Sequence, residues 1–222
     1  MVFAGHCATL NNRTNNQGAT SYTGIKEHVY NDGMVERLER ECTAVNYVTI
    51  PAKLDIPLTS RPRLAARAGA HALISIHHDS IQQSDLDSMK DASAEDPSWQ
   101  RFSGFSLWVA KTDNYDGSLK LASLIADQLM EIGLKPSLYH AQDTPGEGRK
   151  LIDKERGIYS RELFVTKNAT VPAVLMEVGY LINPNEEAVL SQDSFRTRFT
   201  TALNRAIEKF FDDEETGTGG RF

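Results

Sequence analysis

Four side chains in separate segments of the chain can bind a metal ion or move a proton. They are His6, Glu27, His77 and Glu177. Two imidazoles and a carboxylate can hold Zn²⁺ while leaving a coordination position open for water, and a second carboxylate can then act as the base. This combination of residue types is typical of a hydrolase.

Glu177 is the most informative of the four. It interrupts the apolar run 174–178, where an ionisable side chain is costly to bury without a partner or a chemical role. His77 ends another apolar run, but a hydrogen-bonded core histidine would give the same pattern. His6 and Glu27 are weak signals alone, since the helix dipole favours an acid in the first turn of a helix whatever its function.

The composition limits the classes of protein that the chain can represent. With 222 residues, 40% of them hydrophobic and 24% charged, the chain can bury a full core, and we expect one domain. A net charge of -6 argues against a nucleic-acid partner, because that affinity depends on Lys and Arg neutralising phosphates. Cys7 and Cys42 are too few for a disulfide framework, and they could be bridged, free or near a metal.

The elements that must position these side chains alternate between short β-rich runs and stretches with helical periodicity. This alternation predicts an α/β fold, with an open, mostly parallel twisted sheet and helices on both faces, as a single catalytic domain. The predicted strands are 1–5, 46–51, 72–77, 104–110 and 173–178, and the predicted helices are 25–44, 61–70, 117–133 and 185–211.

Ligands in such open sheets bind at the carboxyl ends of the strands. His6, His77 and Glu177 fall at those ends, and Glu27 begins the first long helix, so its carboxylate can lie near the same edge. We therefore expect the four side chains to meet in one cleft. His78 should point to the opposite face from His77, because successive side chains on a strand alternate.

The chain resembles the zinc-dependent N-acetylmuramoyl-L-alanine amidases of the type-3 amidase family. Four motifs carry the resemblance in the family's order: Gly-His at 5–6, a Glu that opens a helix at 27, Ser-Ile-His at 75–77, and Pro-Ala-Val-Leu-Met-Glu-Val-Gly-Tyr-Leu-Ile-Asn at 172–183. The resemblance spans nearly the whole chain. Around the first motif, Phe3-Ala4 stands where many relatives have Asp-Pro, and Cys7-Ala8 stands where they have two glycines.

The resemblance implies a site, a cofactor and a substrate. His6, Glu27 and His77 would hold one Zn²⁺ per chain, and Glu177 would take a proton from water and pass it to the departing amine. The bond cut would be the amide between N-acetylmuramic acid and L-alanine in bacterial peptidoglycan. The partner would therefore be a glycan strand with its stem peptide.

Other polar residues have weaker support. Three are candidates for contact with substrate, namely Arg61, His78 and Asn183. Arginines on a helix face, such as Arg61, are more often solvated. For His78, a packed or outer-sphere imidazole is the preferred interpretation. The remaining histidines have no motif support and are expected to be structural or on the surface: His28, His71 and His140.

Two segments lie outside the family pattern. The insertion 81–102 carries five acidic residues against two basic ones, and a solvated surface loop is its simpler interpretation. The alternative hypothesis is a lid or substrate wall, since it leaves directly from the strand that carries His77. The acidic and glycine-rich residues 212–222 predict a flexible tail, which leaves 1–211 as the catalytic domain.

The same residues set expectations for location and for the alternatives. No apolar run approaches about 18 residues, so no membrane span is expected, and residues 1–4 lack a basic and then apolar leader. We expect action in the periplasm or cell wall, as a trimmed exported autolysin or a phage lysin, with any activator unknown. A zinc exopeptidase and a catalytically silent wall-binding domain are the alternatives, although the intact Glu177 argues against the second.

Overall fold

The structure is a computed structural model that describes residues 1–6, 17–41, 49–51, 56–142 and 148–217. Cys7 and Cys42 lie outside these ranges. The described strands are β1 (Val2–Ala4), β2 (Thr49–Ile50), β3 (Leu73–Asp79), β4 (Ser106–Val109), β5 (Lys150–Asp153), β6 (Ile158–Ser160) and β7 (Ala173–Tyr180). The described helices are α1 (Glu27–Glu41), α2 (Arg61–Arg67), α3 (Gln83–Met89), α4 (Tyr115–Glu131), α5 (Phe164–Lys167), α6 (Pro184–Leu190) and α7 (Asp193–Gly217).

The strands form one sheet in the order β2-β1-β3-β7-β4-β6-β5. Strands β2, β1, β3 and β7 run parallel to one another, and β4 is parallel to β6. Strand β4 pairs antiparallel with β7, and β5 pairs antiparallel with β6. The sheet is mixed but mostly parallel, which confirms the α/β fold class.

Helices cover both faces of the sheet. On one face, side chains such as Ile76 and Met176 join a large apolar core with the helices α1, α4 and α7. On the other face, Phe3 and Leu73 pack near Ala65 of α2 and near the short helix α5. Strand β3 is buried along its whole length, as expected for a central parallel strand that is covered on both sides.

Most of the predicted elements are confirmed, with ends that shift by a few residues. Strands β1, β3, β4 and β7 and helices α1, α2 and α4 lie within or close to their predicted ranges. Only 49–51 of the predicted strand 46–51 is described, and β2 occupies 49–50. The hairpin of β5 and β6 was not predicted.

The C-terminal part of the chain differs from the prediction of one helix over 185–211. It forms two helices: Ser191 is the C-cap residue of α6, with its hydroxyl donating to Glu187 O at 2.7 Å, and α7 begins at Asp193. Helix α7 then packs mainly on α4 and α1. It continues through Gly217, into the residues predicted as a tail, and Asp213 lies 3.4 Å from Lys120 Nζ. The rest of that segment, 218–222, lies outside the described residues.

The insertion 81–102 is a packed element with its own secondary structure. It contains α3 and a 3-10 turn at Pro97–Arg101. Asp85 bonds Arg101 within the insertion and accepts a hydrogen bond from Tyr139 at 2.5 Å. Its apolar side chains surround Tyr180 at the end of β7 in a separate buried cluster that includes Ile81, Met89, Trp99 and Phe102.

Candidate active site

His6, Glu27 and His77 meet at one edge of the sheet, as the sequence predicts. His6 follows β1, His77 lies near the carboxyl end of β3, and Glu27 is the first residue of α1. The two carboxylate oxygens of Glu27 face the two histidines, with Oε2 3.3 Å from His6 Nε2 and Oε1 3.2 Å from His77 Nδ1. The possible ligand atoms of all three residues lie within 4.8 Å of one another.

The turn at residues 5–6 places His6 through an unusual backbone conformation. Gly5 N–H extends the β1–β3 ladder by bonding Ile76 O at 2.6 Å, and His6 then adopts a φ of 60°. A Cβ on Gly5 would lie 2.4 Å from His77 Nδ1, so only glycine fits between the strand and this imidazole. Arg61 donates a hydrogen bond to His6 O at 2.8 Å and thereby supports the turn.

A second glycine borders the cluster on the other side. Gly18 has a φ of +77°, and a Cβ there would lie 2.3 Å from Glu27 Oε2 and 2.7 Å from His6 Cδ2. The next residue, Ala19, donates its N–H to Glu27 Oε2 at 2.8 Å. The sequence gives no sign of this role for Gly18, because a lone glycine in a connecting segment carries no signal of what it contacts.

Glu27 is 2% exposed and remains ionised at neutral pH. Burial raises its pKa, but the hydrogen bond from His77, the charges of His77 and His6, and the Ala19 N–H together lower the pKa to about 2. The His78 N–H and Asn31 Nδ2 each donate to Glu27 Oε1 at 3.1 Å. The carboxylate is therefore held from several directions.

His78 lies on the opposite face of the sheet from His77, as the alternation predicts. Its ring packs against Tyr30 of α1 at 5.7 Å, and its Nδ1 lies 2.7 Å from Asn31 Oδ1. Burial lowers the pKa of His78 to about 4, although the charge of Glu27 acts in the other direction. A neutral imidazole packed behind the site fits the preferred interpretation of this residue.

Glu177 lies on β7, directly across from His77 on β3 and from Ser106 on β4. Its Oε2 is buried and has no hydrogen-bond partner among the described residues. Burial raises the pKa of Glu177 well above its usual value, and the negative charges of Asp79 and Glu27 raise it further. A buried carboxyl group with a strongly raised pKa beside a cluster of candidate ligands is a feature of functional sites.

A histidine–carboxylate pair that the sequence did not predict lies at the end of β3. His140 Nε2 lies 2.6 Å from Asp79 Oδ2 at the end of β3, and its ring meets Trp108 and Tyr139 edge-on at centroid distances of 5.1 Å and 5.0 Å. His140 was expected to be structural or on the surface. Its separation in sequence from the other motifs left no signal that it pairs with Asp79.

Arg61 and Asn183 are both buried and bind other parts of the protein. Arg61 is 2% exposed, and its guanidinium lies over the Phe3 ring at 5.5 Å, so it is not the solvated arginine that the sequence favours. Asn183 accepts hydrogen bonds from the N–H groups at the start of α6 and donates to Trp99 O and Phe102 O. Contact with substrate stays a prediction for Arg61, His78 and Asn183.

The fold and the site together define a class. An open α/β sheet gathers a His–Glu–His cluster at one edge, beside a carboxyl group with one buried oxygen that has no hydrogen bond within the described ranges. This is the arrangement of a metal-dependent hydrolase. A comparison with known protein families then identifies the family within this class. The sequence profile of the N-acetylmuramoyl-L-alanine amidases of type 3 matches residues 1–209, and the chain belongs to this family.

Known proteins similar to this chain carry the same family name. The crystal structure of the amidase Ami1 from Mycobacterium smegmatis has a TM-score of 0.71 at 20% identity, covering 96% of this chain and 95% of Ami1. An N-acetylmuramoyl-L-alanine amidase from Clostridium difficile 630 has a TM-score of 0.69 at 19% identity, covering 95% of each chain. At these identities the likeness establishes the fold.

A curated relative, YrvJ of Bacillus subtilis (strain 168), is assigned to the N-acetylmuramoyl-L-alanine amidases. It is 32% identical over 57 residues, which cover 26% of this chain and 11% of YrvJ. The match therefore spans only a small part of that relative.

Proposed function

We propose that this chain is a zinc-dependent amidase that hydrolyses the bond between N-acetylmuramic acid and L-alanine in bacterial peptidoglycan. The observation that carries the proposal is the cluster of His6, Glu27 and His77 within 4.8 Å, with Glu177 opposite His77 on the neighbouring strand. Membership of the amidase family supports the same reaction.

The donor set suits Zn²⁺. Two imidazole nitrogens and one carboxylate are a usual set in catalytic zinc sites, which keep a position open. Glu27 is ionised, and His77 directs Nδ1 at the cluster while its Nε2 lies 3.0 Å from Ser75 Oγ, so a contact outside the cluster fixes the ring. An ion held there would polarise the scissile carbonyl and lower the pKa of water.

Glu177 is our proposed general base and acid. Water first adds to the carbonyl and the carbon–nitrogen bond then breaks, so one proton must leave the water and one must reach the amine of L-alanine. The buried Oε2 of Glu177 is not engaged by a hydrogen bond in the described part of the chain, and its raised pKa suits a group that must also return the proton.

We propose that the catalytic domain comprises residues 1–211 and that the insertion 81–102 forms a fixed wall of its cleft. The contacts of Tyr139 support a fixed wall rather than a lid that opens, since its hydroxyl donates to Asp85 at 2.5 Å and accepts from Gln82 N–H at 3.1 Å. Deleting 83–98 should slow the hydrolysis of cross-linked wall. Unchanged hydrolysis in a folded deletion variant would contradict this role, and Tyr139→Phe, which removes only the hydroxyl, provides a milder variant of the same test.

The substrate determines where the chain must work. Peptidoglycan lies outside the cytoplasm, so we propose action in the periplasm or cell wall, in cell-wall turnover as an autolysin or in lysis as a phage enzyme. Among the described residues, no helix is both long and apolar enough to cross a bilayer.

The proposal is tested by measuring release of L-alanine amino termini from purified peptidoglycan. We expect release by the wild type, loss after chelation, recovery on return of zinc, and loss in Glu177→Ala. New reducing sugar ends would contradict the proposed bond. Cleavage of simple peptides that lack muramic acid would favour the exopeptidase, whereas zinc binding without any cleavage would favour the silent wall-binding domain.

A further inference from the structure

Asn31 joins three segments of the site through one buried amide group. It lies on α1, one turn after Glu27, and is 0% exposed. Its Nδ2 donates to Gly5 O at 3.1 Å and to Glu27 Oε1 at 3.1 Å, and its Oδ1 lies 2.7 Å from His78 Nδ1. A single side chain thus contacts the turn that carries His6, the carboxylate of Glu27 and the strand that carries His77.

The amide of Asn31 can satisfy its three partners in only one orientation. Gly5 O and Glu27 Oε1 are both acceptors, so the NH₂ group must face them, and the amide oxygen then faces His78. His78 must therefore donate from Nδ1. A rotated amide would place its oxygen against two other acceptors, which is unfavourable in a buried site.

His78 holds Asn31 in this orientation. The imidazole is 2% exposed, and it fixes the amide oxygen from the face of the sheet opposite to His77. The backbone N–H of His78 also donates to Glu27 Oε1, so the same residue contacts the carboxylate directly and through Asn31. Neither side chain is placed to contact the ion itself.

We propose that Asn31 and His78 are a positioning pair that fixes Glu27 and the Gly5–His6 turn in the geometry needed to bind Zn²⁺. This inference rests on the proposed metal site. If the two side chains were removed, Glu27 would keep its contacts with the backbone N–H groups of Ala19 and His78. The amide group that restrains its Oε1 and links it to Gly5 would be lost. Residues that orient metal ligands from outside the coordination sphere commonly change metal affinity by about 10–100-fold when removed.

The test is the Zn²⁺ dissociation constant, measured by competition with a chromophoric chelator on the full chain. We expect Asn31→Ala to weaken zinc binding by about 10–100-fold and His78→Leu by a smaller factor of about tenfold. In the double variant His78→Leu should add almost nothing, because it acts through Asn31. Visible absorption of Co²⁺-loaded protein should change in Asn31→Ala, since it reports the arrangement of the ligands.

Leu38→Ala is the matched control. Leu38 is also fully buried on α1 but belongs to the apolar core, so its loss should lower the thermal midpoint and leave zinc affinity within about twofold. Equal zinc affinities in wild type and Asn31→Ala, or an equal loss in Leu38→Ala, would overturn the positioning role. If Asn31→Ala does not fold, His78→Leu decides alone, and unchanged affinity overturns the inference. If the wild-type chain takes up no zinc, that result would instead overturn the proposed metal site on which this inference rests.

Discussion

Gly18 and Gly24 adopt similar left-handed backbone conformations, but only Gly18 lies against the candidate metal ligands. Their φ angles are +77° and +93°; a Cβ on Gly18 would overlap Glu27 and His6, whereas one on Gly24 has nothing within 4 Å. We expect backbone strain to cost either alanine variant about 1–2 kcal/mol of stability, and the overlap to destabilise Gly18→Ala further. Only Gly18→Ala should also weaken zinc binding, by at least about tenfold.

Zinc titration and thermal unfolding of the two variants separate these effects. Both variants should show a lower thermal midpoint when metal-free, with the larger fall in Gly18→Ala. Equal zinc affinities in Gly18→Ala and Gly24→Ala would show that close packing around Glu27 and His6 is not needed for binding.

We expect Glu177 to lower the stability of the metal-free protein as the pH rises. Its pKa is raised in the fold, so above the ordinary value of 4.5 the fold must either keep the proton or bear a buried charge, and stability falls as the pH rises. Glu177→Gln removes this cost. At pH 8 the metal-free variant should unfold about 3 °C higher, corresponding to about 1 kcal/mol, and near pH 4 the difference should vanish.

The same variant should lose at least about 10²-fold in peptidoglycan hydrolysis, because an amide side chain cannot accept the proton. Circular dichroism melts with chelator at pH 4 and pH 8, together with the amino-terminus assay, check both parts. A lower midpoint than wild type at pH 8 would mean that Glu177 is structurally paired, and retained hydrolysis would mean that another group is the base.

The sequence predicted that His6, Glu27 and His77 would meet at one edge of the sheet, since strand ends and helix starts share that edge. Their chemical roles stay predictions. Asn31 had a detectable signal, because it lies four residues after Glu27 and such residues share a helix face. The pairing of His140 with Asp79 had none, since it depends on how a distant connection folds back over β3.

At the scale of elements, Glu186 joins the end of β7 to the start of the segment that leads into β4. Its carboxylate accepts from Tyr180 N–H and Gly104 N–H, each at 2.7 Å. Burial raises the pKa of Glu186 to about 7, with the charge of Asp79 adding to the effect, although these two hydrogen bonds lower it. Stability from this group is complete below about pH 4.5 and decreases as the pH rises through 7.

Urea denaturation of wild type and Glu186→Gln between pH 5 and pH 8 tests this junction. The stability of wild type relative to the variant should fall by on the order of 2 kcal/mol over that range. Glu187→Gln is the control, because hydrogen bonds from Ser21, Thr23 and Tyr30 outweigh burial and lower the pKa of Glu187. Its effect should be constant above pH 5, and the same pH dependence in both variants would exclude Glu186 as the source.

The sequence predicts strands correctly where burial on both faces of the sheet requires long apolar runs, as in β3 and β7. The sequence does not predict an element where the local pattern is short or polar. Strand β5 is partly exposed at the sheet edge, and α3 has one buried residue, Met89, so neither has strong periodicity. The antiparallel pairing of β4 with β7 is also invisible in sequence, because side-chain alternation is the same in both strand directions.

At the scale of the whole molecule, the candidate metal site and the main core are separate. The site lies at one edge of the sheet, whereas the core joins β-strand side chains to α1, α4 and α7 on one face. The chain should therefore fold without zinc and gain stability from it through binding alone. The gain at a free zinc concentration of about 1,000 times the dissociation constant is about 4 kcal/mol.

For a chain of this size, that gain raises the thermal midpoint by about 10 °C. His77→Ala should fold with its core intact and lose the shift, whereas His71→Ala should retain it, because His71 is exposed and packs near Phe211 at 6.2 Å, away from the cluster. Differential scanning calorimetry with chelator and with buffered zinc measures both. An equal zinc shift in the two variants would place the ion at another site, and a wild-type chain that is unfolded without zinc would make the metal part of the fold.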